Sequence, residues 1–283
     1  MDKAYTTFTL SPLPNTTHAH RLTITNPPIN LITYTFLFEF HAFLTALQAS
    51  SNPPKVLIIS STNPNFWLSH LDLHIASHAS PLPSHQDAGT AIHNLTSIFS
   101  LPGTLPTIFI AEINGRAVAG GNEFACNMDM RFAGPSAKFG VVEVGGGLIH
   151  VGALQALTKL LGQGRAMEVM LGAKGVEAKE AERIGLVNRA FGTEKELKKH
   201  VEELAIRIAL FPWGGIEGTK RGVKECLDGT GNMGKDGERF GGLIGKEETQ
   251  GAISRILGKK GYGEAGEFEL ALPDSIVDIW EQQ

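Results

Sequence analysis

The stretch Ala111–Glu143, AEINGRAVAGGNEFACNMDMRFAGPSAKFGVVE, decides how this chain is read. An apolar run, Thr107-Ile108-Phe109-Ile110-Ala111, leads into it after Pro106 and reads as a buried strand. Asn114-Gly115 is a turn signal, and Ala117-Val118-Ala119 is a second short apolar piece. Gly120, Gly121, Asn122 and Glu123 follow, and Phe124-Ala125-Cys126-Asn127-Met128 can continue as a buried helix. The paired glycines let other atoms approach the main chain closely. The N–H groups at the start of a helix lack internal partners, so the turn offers amides to an anion or a developing oxyanion. A second carboxylate, Glu143, stands twenty residues after Glu123 in the apolar setting Phe139-Gly140-Val141-Val142-Glu143-Val144. Amides plus two carboxylates suit acid–base chemistry beside a stabilised enolate.

The same residues resemble the signature of the crotonase superfamily, the enoyl-CoA hydratase/isomerase family. That signature runs strand, N-G, small residues, G-G-G-x-E, a buried helix ending in a C-D pair, then A-x-F-G-x-P-E. Its counterparts here are Asn114-Gly115, Ala119-Gly120-Gly121-Asn122-Glu123, Met128-Asp129 and Ala137-Lys138-Phe139-Gly140-Val141-Val142-Glu143. The likeness continues through Leu157–Gly162 and Ala166-Met167-Glu168 to Ala178–Asn188, and covers about residues 20 to 195. It implies an α/β fold, a crotonase-type spiral of repeated ββα units with a C-terminal helical region. Residues 1–210 would form the spiral core and 211–283 a Gly-rich helical or oligomerisation region.

Composition sets bounds on partners and compartment. With 283 residues, 42% hydrophobic and 19% charged, the chain can bury a large core. A net charge of −4 gives no general pull toward nucleic acid or an anionic membrane. Two cysteines, Cys126 and Cys226, fit a reducing compartment, and no apolar run approaches the roughly 18 residues of a membrane span. The N-terminal segment reads as neither signal nor transit peptide and the C-terminal residues as no peroxisomal signal, so the cytoplasm is the expected location.

Along the chain, residues 4–11 and 20–25 alternate like paired strands, and a helix is expected from Thr33 to Ala49 with Phe36, Phe40, Phe43, Leu44 and Leu47 on one face. Val56–Ser61 reads as a buried strand, and Asp72 as an N-cap. His70, His74 and His78 recur at helical spacing, which reads as a polar helix face because no nearby carboxylate or Cys completes a zinc ligand set. Ser80–Gln86, with His85, reads as a loop, and the residues from His93 to Ser100 as the end of a helix. Helices are expected over 153–161, 165–171, 178–184 and about 194–210, with a short strand at Leu186-Val187-Asn188. About half of the 33 glycines lie between Gly214 and Gly266, and glycine costs about 1 kcal/mol per helical site, so this tail is expected to be weakly helical, partly mobile, or ordered only by a partner.

The resemblance assigns roles residue by residue. An acyl thioester would place its carbonyl oxygen between the amides of Leu71 and Gly120. Glu123 and Glu143 would be the catalytic carboxylates, and retention of both favours enoyl-CoA hydratase. The alternatives are a double-bond isomerase using Glu143 alone, an acyl-CoA hydrolase, or a non-catalytic binding or scaffold protein of the same fold. Asn30, Leu31, Ser69, His70, Gly121 and His150 would border the substrate. Ser69-His70 replaces the family's Ala-Gly, and His150 stands near its usual proline. The dienoyl-CoA isomerase branch would carry an acid eight residues after Glu143, where this chain has Val151. No metal or cofactor is called for beyond the coenzyme A of the substrate, and a homotrimer or dimer of trimers is implied.

Overall fold

The computed structural model describes residues 4–77 and 86–280. The chain divides into two compact units, Met1–Ala205 and Ile206–Gln283. In the first, β1 (Phe8–Pro12) and β2 (Ala19–Ile24) pair antiparallel, with Phe8 opposite Ile24. Thr33 caps α1 (Tyr34–Ala49) by accepting a hydrogen bond from the Phe36 N–H. The helix buries the face read from its periodicity, and Phe40 meets Phe124 edge-on at 5.1 Å.

Three successive turns of chain then repeat one plan. The first holds β3 (Val56–Ser61), β4 (Phe66–Leu68) and α2 (Ala88–Ser100). The second holds β5 (Ile108–Ile113), β6 (Arg116–Val118) and α3 (Gly120–Cys126). The third holds β7 (Met130–Ala133), β8 (Lys138–Gly140) and α4 (Ala153–Leu161). In each turn the first strand joins one sheet and the second strand another. Thus β3, β5 and β7 lie parallel in register, and so do β4, β6 and β8. The chain continues through α5 (Gln163–Gly172), β9 (Val176–Glu177), α6 (Ala178–Ile184), β10 (Arg189–Ala190) and α7 (Glu194–Leu210). The sheets run β1-β2-β3-β5-β7-β10 and β4-β6-β8-β9. This is the α/β spiral of ββα units expected from sequence.

Two local expectations need correcting. The strand read at Leu186–Asn188 lies instead at Arg189–Ala190, beside Phe132–Ala133. Leu186 and Val187 are apolar because they fill the core, and the Asn188 side chain accepts the Arg131 N–H. His70 and His74 share no helix face: His70 is in extended chain, and His74 is in the 3-10 turn Leu73–Ile75, capped by Asp72. His78, His85 and most of the Ser80–Gln86 loop lie outside the described residues.

The second unit is helical despite its glycines: α8 (Trp213–Leu227), α9 (Met233–Ile244), α10 (Glu247–Leu257) and α11 (Glu267–Ser275). Arg239 ties α9 to α8 through Glu225 at 2.6 Å, and the Arg255 guanidinium lies over Trp280. Few of its apolar residues are buried, Ala209, Ile216, Ala252 and Ile279 among them. Among the described residues, no helix is long and apolar enough to cross a membrane.

The junction of β6 and α3 is the tightest joint in the spiral. A Cβ on Gly121 would overlap the Leu68 carbonyl oxygen and sit 3.0 Å from the Ser69 oxygen. Its neighbour Ala119, where the family has glycine, is held at φ +50°, ψ −124°, with its N–H bonded to the Gly140 oxygen at 2.7 Å. That backbone region favours glycine. Adjacent substitutions should therefore act in opposite directions. Gly121→Ala should lower stability by about 3 kcal/mol, and Ala119→Gly should raise it by about 1 kcal/mol; urea unfolding midpoints check both.

Candidate active site

The chain that leaves β4 is stretched beside residues 30–32. Ser69 N–H bonds Asn30 O at 2.9 Å, Ile32 N–H bonds His70 O at 2.9 Å, and Asp72 N–H bonds Ile32 O at 3.0 Å. Ile32 and Leu71 form an isolated parallel bridge. Gly120 arrives against this segment from the next turn of the spiral. A Cβ added to it would meet Ile32 Cδ1 at 2.8 Å and the Leu71 nitrogen at 3.6 Å. The Leu71 and Gly120 amides are therefore neighbours. Among the hydrogen bonds of the described residues, neither N–H has an acceptor.

The other sequence-derived residues divide by what their side chains already do. Asn30, at φ +52°, uses its side chain inside the protein: Oδ1 accepts from Asn26 N–H at 2.8 Å, and Nδ2 donates to Ser61 Oγ, Phe66 O and Trp67 O. These bonds anchor the loop. Leu31 is half-buried, and its carbonyl accepts from Asn26 Nδ2. At Gly121 the Leu68 carbonyl leaves no room for a Cβ. Ser69 is buried. His70 Nδ1 lies 2.8 Å from the Leu71 carbonyl oxygen, which only accepts, so Nδ1 carries the proton and pins the carbonyl after the Leu71 amide.

The two carboxylates converge. Glu123 projects from α3 and is 3% exposed. Its Oε1 accepts the Ala153 N–H at 3.3 Å, at the start of α4. Glu143 opens the 3-10 turn Glu143–Gly146, its side chain 15% exposed. His150 stands between them, with Nδ1 2.8 Å from Glu143 Oε2 and 4.0 Å from Glu123 Oε1. This histidine, read from sequence as a loop residue bordering substrate, lies in a loop and in contact with both carboxylates. Burial first, and Glu143 second, push the Glu123 carboxyl up to about 7, while N–H groups of residues 151–153 pull the other way. Ligand atoms of the three residues all lie within 4.8 Å of one another, so they are also the set that could hold a divalent cation. Cys126, behind them, is buried, and its thiol is pushed up to about 12 by burial, which leaves it inert as a nucleophile.

The raised Glu123 value has a definite sign in stability. A folded value of about 7 against an ordinary 4.5 means that the native state holds the proton more tightly. This contribution is fully present below the unfolded value and is lost as pH rises through the folded one. Glu123→Gln removes it. The stability of wild type relative to Glu123→Gln should therefore fall by about 3 kcal/mol between roughly pH 4.5 and 8, measured by urea unfolding across that range.

Known proteins share both sequence and architecture with this chain. The model of the enoyl-CoA hydratase/isomerase family matches residues 18–212. The short-chain-enoyl-CoA hydratase of Clostridium acetobutylicum is 32% identical over 154 residues, 53% of this chain and 59% of the relative. The peroxisomal Δ(3,5)-Δ(2,4)-dienoyl-CoA isomerase of Arabidopsis thaliana is 29% identical over 201 residues, 68% of this chain and 72% of the relative. The chain spans about three-fifths of the length of the first curated relatives it matches. An enoyl-CoA hydratase structure from Bacillus anthracis superposes with a TM-score of 0.80 at 23% identity, covering 93% of this chain and all of that one, which shows the shared fold. With a family match over more than half its length, carried on the spiral and its converging carboxylates, the chain belongs to the enoyl-CoA hydratase/isomerase family.

Proposed function

We propose that the protein hydrates 2-enoyl thioesters of coenzyme A. The observation that carries this reading is the pair of carboxylates, Glu123 and Glu143, meeting around His150 with one carboxyl raised to about 7. Syn hydration needs one carboxylate that takes a proton from water and one carboxyl that gives a proton to the α-carbon. Two identical, solvated carboxylates would both be ionised at neutral pH; the raised Glu123 value keeps one proton available there.

Water oxygen adds at the β-carbon, and the π electrons move toward the thioester carbonyl. The enolate oxygen so formed would lie between the N–H groups of Leu71 and Gly120, which have no acceptor of their own among the described residues. Such a donor is worth roughly 3–4 kcal/mol in other enzymes. Val142, Val144 and Leu148, exposed beside Glu143, support an apolar acyl group. Two unpaired cysteines fit a reducing compartment such as the cytoplasm, and the family resemblance supports a trimer or a dimer of trimers.

The test is loss of conjugated-thioester absorbance with crotonyl-CoA and longer 2-enoyl-CoAs. Wild type should turn these over, and Glu123→Gln and Glu143→Gln should each lower kcat by roughly two to four orders of magnitude. Activity surviving Glu123→Gln would move the assignment to a double-bond isomerase using Glu143 alone. No turnover together with no coenzyme A binding by calorimetry would leave the fold as a binding scaffold.

A further inference from the structure

His70 is a residue of the site whose side chain the hydration scheme leaves unused. It stands half-buried in extended chain just beyond β4, where the family pattern has glycine. Its neighbour Leu71 sits between two peptide groups, and nearly every polar atom of these is tied down. In the preceding group the His70 oxygen accepts the Ile32 N–H at 2.9 Å. In the following group the Asp72 N–H donates to the Ile32 oxygen at 3.0 Å. The Leu71 oxygen of that group lies 2.8 Å from His70 Nδ1. The remaining polar atom is the Leu71 N–H itself, which has no acceptor among the described residues. Ile32 is fully buried, so the two main-chain ties run to a fixed strut. Those ties use backbone atoms and form with any side chain at position 70. The tie to the Leu71 oxygen uses the imidazole, so it alone depends on the residue being histidine.

We propose that His70 is a positioning residue for the Leu71 amide: its Nδ1–H, bonded to the Leu71 oxygen, stops the following peptide plane from turning and keeps the Leu71 N–H aimed beside Gly120. The proposal rests on the hydratase reading for its effect on turnover. A carbonyl oxygen only accepts, so the ring must present Nδ1–H to it. Gly120 has its own support, because the turn that carries it is closed by the Glu123 N–H on the Ala119 oxygen at 2.9 Å. The Leu71 side lacks a helical turn and is held by strand-like bonds and the ring. Donors of this kind bind an oxygen more tightly as it gains negative charge. A misaimed Leu71 N–H therefore costs more in the transition state than in the substrate complex, and the loss falls on kcat rather than KM.

Two variants, one bound probe and one spectrum test this. Asparagine in place of His70 can bring an amide N–H to the Leu71 oxygen; leucine fills the space without a donor. With crotonyl-CoA, His70→Leu should lower kcat about tenfold with KM changed less than about threefold, and His70→Asn should recover most of that loss. Butyryl-CoA has no double bond to hydrate, so the infrared stretch of its bound thioester carbonyl reports the donors alone. The stretch should fall to lower frequency on wild type and His70→Asn, and fall less on His70→Leu. Wild-type kcat and carbonyl shift in His70→Leu overturn the proposal, as does a His70→Asn protein no better than His70→Leu. The last measurement needs no ligand. Nitrogen-15 spectra should show His70 Nδ1 protonated, and the carbon-13 signal of the Leu71 carbonyl should move in His70→Leu. A ring with bare Nδ1 overturns the proposal whatever the protein turns over. The expected carbonyl shifts of butyryl-CoA without turnover of crotonyl-CoA or longer 2-enoyl-CoAs overturn the hydratase reading and leave the proposal standing. A butyryl-CoA stretch unmoved by wild type overturns both.

Discussion

Everything in the candidate site depends on one close approach of backbone to backbone. Gly121 lies where any side chain would collide with the Leu68 carbonyl. That contact brings the start of α3 against the chain leaving β4, two pieces about fifty residues apart in sequence. The Leu71 and Gly120 amides become neighbours as a by-product of this packing. The Asn30 side chain and the Ile32–Leu71 bridge hold the other flank, so the first-turn chain cannot retreat from α3. Rigid positioning of this kind is what a preorganised pair of donors requires.

Burying two carboxylates together is the second constraint, and the fold meets it unequally. Glu123 is almost fully enclosed and receives amide donors where α4 begins, which offsets part of its desolvation. Glu143 keeps some exposure and is given a side-chain donor, the His150 imidazole. Like charges so near would repel strongly in a dry interior. A shared proton on one carboxyl and a hydrogen bond to the other resolve the conflict without removing either oxygen pair from the cluster. Arg131 shows the same economy elsewhere: its buried guanidinium is met by the carbonyls of Leu186 and Met128.

Much of the fold was legible because its signals are local and regular. The α1 face, the Asn114-Gly115 turn, the paired glycines and both carboxylates stand in the sequence at the spacings that the spiral uses. What escaped depended on long-range placement. Leu186 and Val187 looked like a strand because a core-filling pair and a buried strand are equally apolar. The His70–His74 spacing suggested a helix, but pairing of residues 69–72 with 30–32 keeps that chain extended. His150 was read as a site residue, but its contact with Glu143 was not legible. Seven residues beyond Glu143, it returns to it through the Glu143–Gly146 turn, which ends at Gly147 (φ +76°) and closes with Leu148 N–H on Glu143 O. No periodicity announces such a return. The Gly-rich tail misled in another way: its intrinsic helix propensity is low, yet capped and ion-paired helices form, such as α9 with Asn232 at its start and Arg239 reaching α8.

The three-turn plan of the spiral also distributes the chemistry. Leu71 belongs to the first turn, Gly120 and Glu123 to the second, Glu143 and His150 to the third. Each turn thus behaves as a cassette that plugs into a common joint. Drift within one cassette can rewrite one component while the shared geometry stays put. The histidine at position 150 lies wholly within the third cassette. A lineage built this way can explore new reactions one component at a time, without passing through an unfolded ancestor.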